Sequence, residues 1–201
     1  MNERRTIDNY ADLKNWYDSK YSEMNGCWFT PPQDCNRHLD ALGVPLDKSL
    51  YLLDIGCGGG HFLNEAMKRV SCVGIEPSEK AIEFSKRHLG EQVGPGSLLL
   101  NTIEEMASYP QKFHFITSIG SLEHVLDLDE ALRVIHILLK PNGKFYNFAP
   151  NLKWVHEDQP NELRADPEWW TAKLAEHGLI VERVDEWNDS NAYVCKWGMI
   201  L

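Results

Sequence analysis

The stretch YLLDIGCGGGHF, residues 51–62, decides the fold of this chain. An apolar run of the kind that forms a buried strand leads into a turn with four glycines, and a helical pattern follows. Glycine has no Cβ, so such a turn lets a ligand approach the main chain closely. The free N–H groups at the start of the following helix point toward the same ligand. The stretch therefore predicts a strand, a tight turn and a helix that together cradle a nucleotide.

The spacing of the glycines distinguishes between classes of nucleotide. The dinucleotide fingerprint requires glycine at its first, third and sixth positions. Counted from Gly56, the sixth position is His61, which disfavours NAD as the ligand. The pattern actually present is D-x-G-x-G-x-G, from Asp54 to Gly60.

A second acid stands at the end of the next apolar run. Glu76 closes the segment SCVGIE, residues 71–76, and lies 22 residues after Asp54. A carboxylate at the tip of the second strand accepts hydrogen bonds from both ribose hydroxyls, as an acid about 20 residues downstream does in dinucleotide folds. The spacing indicates an adenosine ligand without deciding which one. A solvated strand end is the alternative for Glu76.

Apolar periodicity alternates between strand-like and helix-like along the chain, and neither a linker nor an internal repeat interrupts it. This alternation is typical of an α/β fold with a doubly wound, mainly parallel sheet. The expected strands lie at 49–55, 71–76, 97–103, 113–119 and 144–149, and the expected helices between them at about 60–70, 78–89 and 129–139.

Both ends of the chain add further elements. We expect a first helix over 5–23 and a second with Thr30 as its N-cap, Pro31 in its first turn and Gly43 at its end. Near the other end a helix runs from Asp166-Pro167 to Gly178, and strand-like runs at 179–187 and 192–200 flank a short polar turn. So short a connection forces an antiparallel pair. The prediction is a seven-stranded sheet with helices on both faces and a C-terminal antiparallel hairpin strand.

These motifs resemble those of the class I S-adenosylmethionine-dependent methyltransferases, over roughly residues 49–201. The segment from Asp54 to Gly60 is similar to the family's first motif, and the closing hairpin matches its Rossmann-like fold rather than that of dehydrogenases. Residues 101–105 look like the adenine-reading loop, 113–125 like the fourth strand with its active-site loop, and 138–144 like the turn before the fifth strand. The family often has an acid where Thr102 stands here.

The resemblance implies S-adenosylmethionine as cofactor and S-adenosylhomocysteine as product. Asp54 and the glycine turn would hold the methionine end, Glu76 the ribose, and the Thr102 hydroxyl with the Ile103 backbone the adenine. Tyr17 and Tyr21 would approach from a lid, and His61 either reaches the cofactor or is an ordinary first-turn residue. The full set of expected cofactor residues is Asp54, Gly56, Cys57, Gly58, Gly60, His61, Glu76, Pro77, Thr102, Ile103, Ser118, Ile119, Tyr17 and Tyr21.

His124, with Glu123 beside it, is the candidate catalytic base, because it follows the fourth strand and an unperturbed histidine titrates near neutrality. A structural role for the pair is the alternative. Glu123, His124 and Asp127 could offer mixed metal ligands, but a convincing fourth ligand is missing, and we predict no metal. His156 falls in the segment that resembles the family's variable substrate loop.

Composition narrows the class of protein. The formal net charge is -10, and the chain has no cluster of Lys and Arg, which argues against a nucleic-acid partner. No apolar run is long enough to span a membrane, no secretory leader is visible, and the five cysteines lack C-x-x-C spacing. We therefore expect a cytoplasmic protein, monomer or homodimer, with one domain over 1–201. Its parts would be a helical lid over 1–45 and a Rossmann-like core over 46–201.

The acceptor is the least determined feature. The N/D/S-P-P-Y signature that accompanies methylation of nucleobases or of glutamine is absent, since residues 118–121 read SIGS. The interpretation is methyl transfer to a small molecule, with oxygen favoured over nitrogen or carbon. The alternative is an S-adenosylmethionine-binding protein without turnover. An NAD-dependent oxidoreductase is supported by fold analogy alone.

Overall fold

The computed structural model describes residues 7–154 and 159–199. Its helices and strands alternate along most of the chain, as the periodicity predicts. In chain order they are α1 Tyr10–Met24, α2 Pro32–Leu42, β1 Tyr51–Ile55, α3 His61–Arg69, β2 Ser71–Ile75, α4 Glu79–Leu89, β3 Leu98–Leu99, β4 Phe113–Ile119, α5 Leu128–Leu138, β5 Leu139–Pro150, α6 Pro167–Glu176, β6 Leu179–Trp187 and β7 Ser190–Trp197.

One seven-stranded sheet, in the order β3-β2-β1-β4-β5-β7-β6, organises the molecule. The pairs among β1 to β5 are parallel, whereas β7 is antiparallel to both β5 and β6. The predicted fold class, a doubly wound and mainly parallel sheet with a C-terminal antiparallel strand, is therefore confirmed. The order reverses direction between β1 and β4, and ligands of open α/β sheets bind at such a point.

Two apolar clusters cover the two faces of the sheet. One cluster packs α5 and α6 against it, with Trp170 and Leu132 fully buried. The other packs α2 and α3, with Leu39 and Leu63 fully buried. Since both faces are covered, the strand ends are the part of the sheet left open for a ligand.

Several element bounds differ from the prediction for local reasons. The Asn9 side chain accepts a hydrogen bond from the Asp12 N–H, so α1 begins at Tyr10, and residues 5 and 6 lie outside the described residues. Pro31, not Thr30, is the N-cap of α2, so the proline in its first helical position is Pro32. Gly43 ends α2 with φ 75°, as predicted.

Among the strands, β1 and β2 are one or two residues shorter than predicted, and β3, β5 and β7 differ for reasons that the structure shows. The run 97–103 contributes only Leu98–Leu99 to the sheet, because β3 is an edge strand and the chain soon turns into a short 3-10 helix at Glu104–Met106. β5 begins directly after α5, at Leu139, and β7 begins at Ser190 after a tighter turn. None of the helices among the described residues is long and apolar enough to cross a membrane.

Candidate functional site

A cavity of about 360 Å³ lies at the carboxyl ends of β1, β2, β4 and β5, with α1 along one side. It combines the glycine turn with residues that follow β2, β3 and β4, as expected for a site at the reversal of strand order. Among the predicted cofactor residues, those that line it are Asp54, Gly56, Cys57, Gly58, His61, Glu76, Pro77, Thr102, Ile103, Ile119, Tyr17 and Tyr21.

The glycine turn after β1 is held in backbone conformations that favour glycine. Gly56, Gly58 and Gly60 have φ of 68°, 50° and 81°. The N–H of Gly56 donates to the Ile75 carbonyl at 2.9 Å, which ties the turn to the end of β2. A Cβ on Gly56 would lie 2.1 Å from the Ser121 Oγ. Gly56 therefore has no room for a side chain, and residues 56–59 of the turn line the cavity.

Glu76 joins the glycine turn to the second strand. One carboxylate oxygen accepts the N–H of Gly58 at 3.0 Å, and the other accepts the N–H of Ser78 at 2.9 Å. Burial raises the pKa of Glu76 to about 7, opposed by these two hydrogen bonds. The carboxylate is thus held in place at the end of β2, where the ribose is expected, and its protonation is sensitive to any ligand that reaches it.

Asp54 occupies the matching position at the end of β1. Its Oδ1 accepts a hydrogen bond from the Thr117 hydroxyl at 2.8 Å. Burial raises its pKa to about 7, the Thr117 hydrogen bond lowers it, and the charge of Glu76 adds to the rise. Two buried acids with raised pKa values in one cavity suit a ligand that brings a cation and hydroxyl donors.

The loop after β3 supplies buried oxygen atoms at the far end of the cavity. The Thr102 N–H donates to Glu105 at 2.7 Å, which fixes the loop, but the Thr102 Oγ1 has no hydrogen-bond partner among the described residues. The same holds for Oε2 of Glu104, whose other oxygen accepts the Tyr10 hydroxyl. These oxygens are available to an adenine amino group. The sequence analysis identified Thr102 and missed Glu104.

Helix α1 covers one side of the cavity, and a residue near its middle is hydrogen-bonded to the core. The Asp18 Oδ1 accepts hydrogen bonds from the Ser78 hydroxyl at 2.6 Å and from the Lys80 N–H at 3.0 Å, at the start of α4. The ring of Tyr21 packs edge-on against Trp28, with centroids 5.1 Å apart. Tyr17 lines the cavity and is half-buried. Desolvation raises its pKa first, and the charges of Glu76, Glu123 and Glu162 raise it second.

The segment before α1 is fastened to the loop before α6. The Asn161 side chain accepts the Ile7 N–H at 2.9 Å and donates to the Ile7 carbonyl at 2.9 Å. Asn161 itself has φ 59°, a conformation in which Asn is enriched. The lid and this loop are thereby joined on the side of the cavity away from the glycine turn.

Glu123 and His124 lie in a short 3-10 helix after β4, and both line the cavity. The His124 Nδ1 is 3.0 Å from the Pro160 carbonyl; because a carbonyl only accepts, Nδ1 carries the proton and Nε2 is free of one. Nε2 lies 4.0 Å from Oε1 of Glu123. Burial lowers the pKa of His124 to about 4 and raises that of Glu123 to about 8, so the histidine is neutral at physiological pH.

Asp127 does not join this pair in a metal site. Its side chain accepts the Glu130 N–H at 3.0 Å and so serves as the N-cap of α5. Within the described ranges, the His and carboxylate atoms that converge are those of Asp129, Glu176 and His177, and they lie at the surface with Lys173 bonded to Asp129. The Asp127 side chain is therefore engaged at the start of α5, whereas Glu123 and His124 lie beside each other.

Two predicted cofactor residues lie outside the wall of the cavity. Gly60 is the N-cap of α3, and a Cβ there would meet the Ser85 Oγ at 2.9 Å. The Ser118 hydroxyl accepts the Leu122 N–H at 2.9 Å and thereby shapes the loop that carries Glu123. Gly60 and Ser118 therefore do not form part of the wall of the cavity, and an approach of the Ser118 backbone to the cofactor stays a prediction.

His61 lines the cavity at the start of α3, with its Nε2 3.2 Å from the Cys27 Sγ. Its ring also packs edge-on against Phe29 at 4.9 Å. These contacts connect the segment between α1 and α2 to the start of α3, directly after the glycine turn. His156 lies outside the described residues, so its place in a substrate loop stays a prediction.

Glu162 is a cavity residue that the sequence analysis missed. It is buried, and its carboxylate accepts a hydrogen bond from Arg164. The Leu163 N–H donates to the Glu123 carbonyl at 2.9 Å, so this loop is fixed against the 3-10 helix. Glu162 lies far from every motif in the sequence, so the sequence did not predict that it lines the cavity.

Comparisons with known proteins agree with this geometry. A family model described as a methyltransferase domain matches residues 29–186. The chain belongs to the S-adenosylmethionine-dependent methyltransferase family. Membership confirms the predicted family and the predicted cofactor, S-adenosylmethionine, for which the acids and the glycine turn of the cavity are suited.

Among curated relatives, a ubiquinone biosynthesis O-methyltransferase from Proteus mirabilis is 35% identical over 98 residues, which are 47% of this chain and 40% of that protein. One from Methylobacterium is 31% identical over 115 residues, or 56% of this chain and 46% of that protein. The chain therefore spans less than half the length of these relatives.

Solved methyltransferase structures share the fold. Magnesium protoporphyrin IX methyltransferase from Synechocystis, crystallised with S-adenosylhomocysteine, superposes with a TM-score of 0.70 at 13% identity, covering 94% of this chain and 100% of that one. A methyltransferase from Aquifex aeolicus has a TM-score of 0.66 at 17% identity, covering 94% of this chain and 98% of that one. At such low identity the likeness concerns the fold alone.

Proposed function

We propose that this methyltransferase chain moves the methyl group of S-adenosylmethionine to an oxygen atom of a small-molecule acceptor. The observation that carries the proposal is the Glu123–His124 pair, which lines the same cavity as the glycine turn and presents an unprotonated Nε2. The O-methyltransferase names of the partly matching relatives support oxygen as the nucleophile.

The bound cofactor would supply an activated methyl group on a sulfonium. The chain then has to align the acceptor, exclude water and take up a proton. The lid formed by α1 excludes water, and His124 Nε2 accepts the proton of the acceptor hydroxyl. The new bond joins the acceptor oxygen to the methyl carbon as the carbon–sulfur bond breaks, and S-adenosylhomocysteine is released. Oε1 of Glu123 lies 4.0 Å from Nε2, and the ionised form of this carboxyl stabilises the resulting imidazolium.

Release of S-adenosylhomocysteine from a panel of phenols, sugars, carboxylates and amines tests the proposal. We expect turnover with a hydroxyl acceptor, and a rate about 100- to 10,000-fold lower in the variant His124→Gln with cofactor affinity unchanged, the usual effect of losing a general base. His177→Gln, on the surface, is the matched control and keeps the wild-type rate.

Two results would overturn this proposal. Turnover restricted to amines would remove oxygen as the nucleophile. Tight binding of S-adenosylmethionine with no product from any acceptor would favour the alternative of a binding protein without turnover.

A further inference from the structure

The wall of the cavity is rich in acids, and one of them, Glu162, is paired with a cation, Arg164, that lies outside the wall. Of the described residues that line it, none is Lys or Arg, and the two histidines have lowered pKa values because burial disfavours their charged forms. The carboxylates among them are Asp54, Glu76, Glu104, Glu123 and Glu162. A ligand that brings further negative charge into this cavity is repelled, and one that brings donors or positive charge is attracted.

The acids divide between two ends of the cavity. Asp54, Glu76 and Glu104 follow β1, β2 and β3, on the side proposed for the cofactor. Glu123 and Glu162 lie on the other side, after β4 and after β5. Tyr17 lines the same cavity and is close enough to both sets for the charges of Glu76, Glu123 and Glu162 to raise the pKa of its phenol, after the larger effect of burial.

Glu123 has hydrogen-bonding capacity that the protein does not use. Its side chain is 3% exposed, it lines the cavity, and its Oε2 has no hydrogen-bond partner in the part of the chain that the structure describes. A buried polar atom without a partner is costly, and a donor supplied by a ligand offsets that cost. An anionic group would offer no donor and would add repulsion.

We propose that Glu123 and Glu162 form an acceptor-binding subsite that selects neutral or cationic hydrogen-bond donors and rejects anions. The acceptor then carries, beside its nucleophile, a hydroxyl or an ammonium group that donates to Glu123, and no carboxylate or phosphate at that point. The inference rests on the proposed function only in that the acceptor enters the part of the cavity after β4 and β5.

Matched fragments test the subsite without requiring turnover. Benzylammonium, benzyl alcohol and benzoate share one ring and differ in charge and in donors, and each would be titrated calorimetrically into the protein loaded with S-adenosylhomocysteine. The titrations are run at pH 8.5, above the pKa of about 8 of Glu123, so that this carboxyl is mostly ionised. We expect benzylammonium and benzyl alcohol to bind at least about 10-fold more tightly than benzoate, the effect of one hydrogen bond to a charged group.

Single variants assign the selectivity to residues. Glu123→Gln keeps the shape and removes the charge, so the preference for benzylammonium over benzoate should shrink about 10-fold; Glu162→Gln should act in the same direction. Glu168→Gln removes an equal charge at the exposed start of α6 and should leave the preference unchanged. Retained affinity for S-adenosylhomocysteine shows that each variant is folded.

Benzoate binding as tightly as benzylammonium, no binding of any fragment, or a preference unaffected by both glutamine variants would each overturn the subsite. If Glu123→Gln does not fold, the order of the three fragment affinities in the wild type and the effect of Glu162→Gln still decide whether the subsite exists. A protein with the expected ranking that releases no product from any acceptor would contradict the proposed function and leave the subsite standing, so the two failures are distinguishable.

Discussion

Glu76 is the residue through which the two parts of the proposed cofactor cradle are joined. It fixes the Gly58 N–H at 3.0 Å and the start of the next helix through Ser78, while one edge of its carboxylate faces the cavity. Glu76 therefore has two roles: its carboxylate is the expected ligand-binding group, and it holds the glycine turn in position.

Replacing Glu76 with Gln should weaken binding of S-adenosylmethionine by about 10- to 100-fold, because hydrogen bonds to a charged acceptor contribute about 1.5–3 kcal/mol. Calorimetric titration measures the change. Glu79→Gln, at the exposed first turn of α4, is the control and should bind as the wild type does. An unchanged affinity in Glu76→Gln would show that another group holds the ribose.

Residues at strand ends were predictable, whereas residues on long loops were not. Asp54 and Glu76 follow apolar runs at a spacing with a physical meaning, and the structure places both in the cavity. Glu104 lies in the predicted adenine-reading loop, residues 101–105, although it was not named there as a cofactor residue. Glu162 stands next to no motif, and only the folding of its loop carries it to the cavity. The Ser118 hydroxyl accepts the Leu122 N–H, a role that its place at the end of β4 did not indicate, and the predicted approach of its backbone to the cofactor stays a prediction.

At the scale of elements, two constraints act on a glycine of this turn: its positive φ and the lack of space around a would-be Cβ. Comparing a glycine in the turn with one outside it separates the two. Gly58 has φ 50° and faces the cavity, where a Cβ would lie 3.2 Å from the Tyr21 hydroxyl. Gly90, at the end of α4, has φ 55°, but nothing lies within 4 Å of its would-be Cβ. Both positions have a positive φ, but only Gly58 has another side chain close to its would-be Cβ.

Gly58→Val should therefore abolish detectable binding of S-adenosylmethionine, whereas Gly90→Val should lower stability and leave the affinity intact. Both carry the cost of a β-branched residue at positive φ, which is at least about 1–2 kcal/mol. Thermal melts measure that cost and titration measures affinity. Near-normal binding by Gly58→Val would mean that the turn is only a connection between β1 and α3.

Element identity followed from periodicity, and element bounds depended on contacts that periodicity does not encode. β4 was predicted at 113–119 and lies there, because β1 and β5 flank it and its apolar side chains are covered on both faces. β3 was expected to be far longer than two residues, but it lies at the sheet edge with a partner on one side only.

At the scale of the whole molecule, the buried acids couple stability to pH. The folded-state pKa values of Asp54, Glu76 and Glu123, about 7, 7 and 8, lie above the ordinary values of 3.8, 4.5 and 4.5. The folded protein therefore binds more protons than the unfolded chain, and the stability these groups contribute is lost as the pH rises through 7 and 8. Buried His124 acts oppositely and only below its ordinary pKa of 6.5.

The melting temperature of the ligand-free protein should accordingly fall between pH 6.5 and pH 8, a window in which the acids titrate and His124 does not. Glu123→Gln removes the group with the highest of these pKa values, so its melting temperature should fall less across the same window. A wild-type melting temperature that rises over this interval would contradict the assignment of raised pKa values.

The proposed function depends most on which nucleotide binds in the cavity. A comparison of two ligands tests this point directly. Calorimetric titration of the same protein with S-adenosylmethionine and with NAD should show saturable binding of one S-adenosylmethionine per chain, with NAD weaker by at least about 100-fold, or about 2.7 kcal/mol. His61 stands where the dinucleotide fingerprint needs glycine, which is the physical reason for the difference. NAD binding as tightly as S-adenosylmethionine would contradict the central claim.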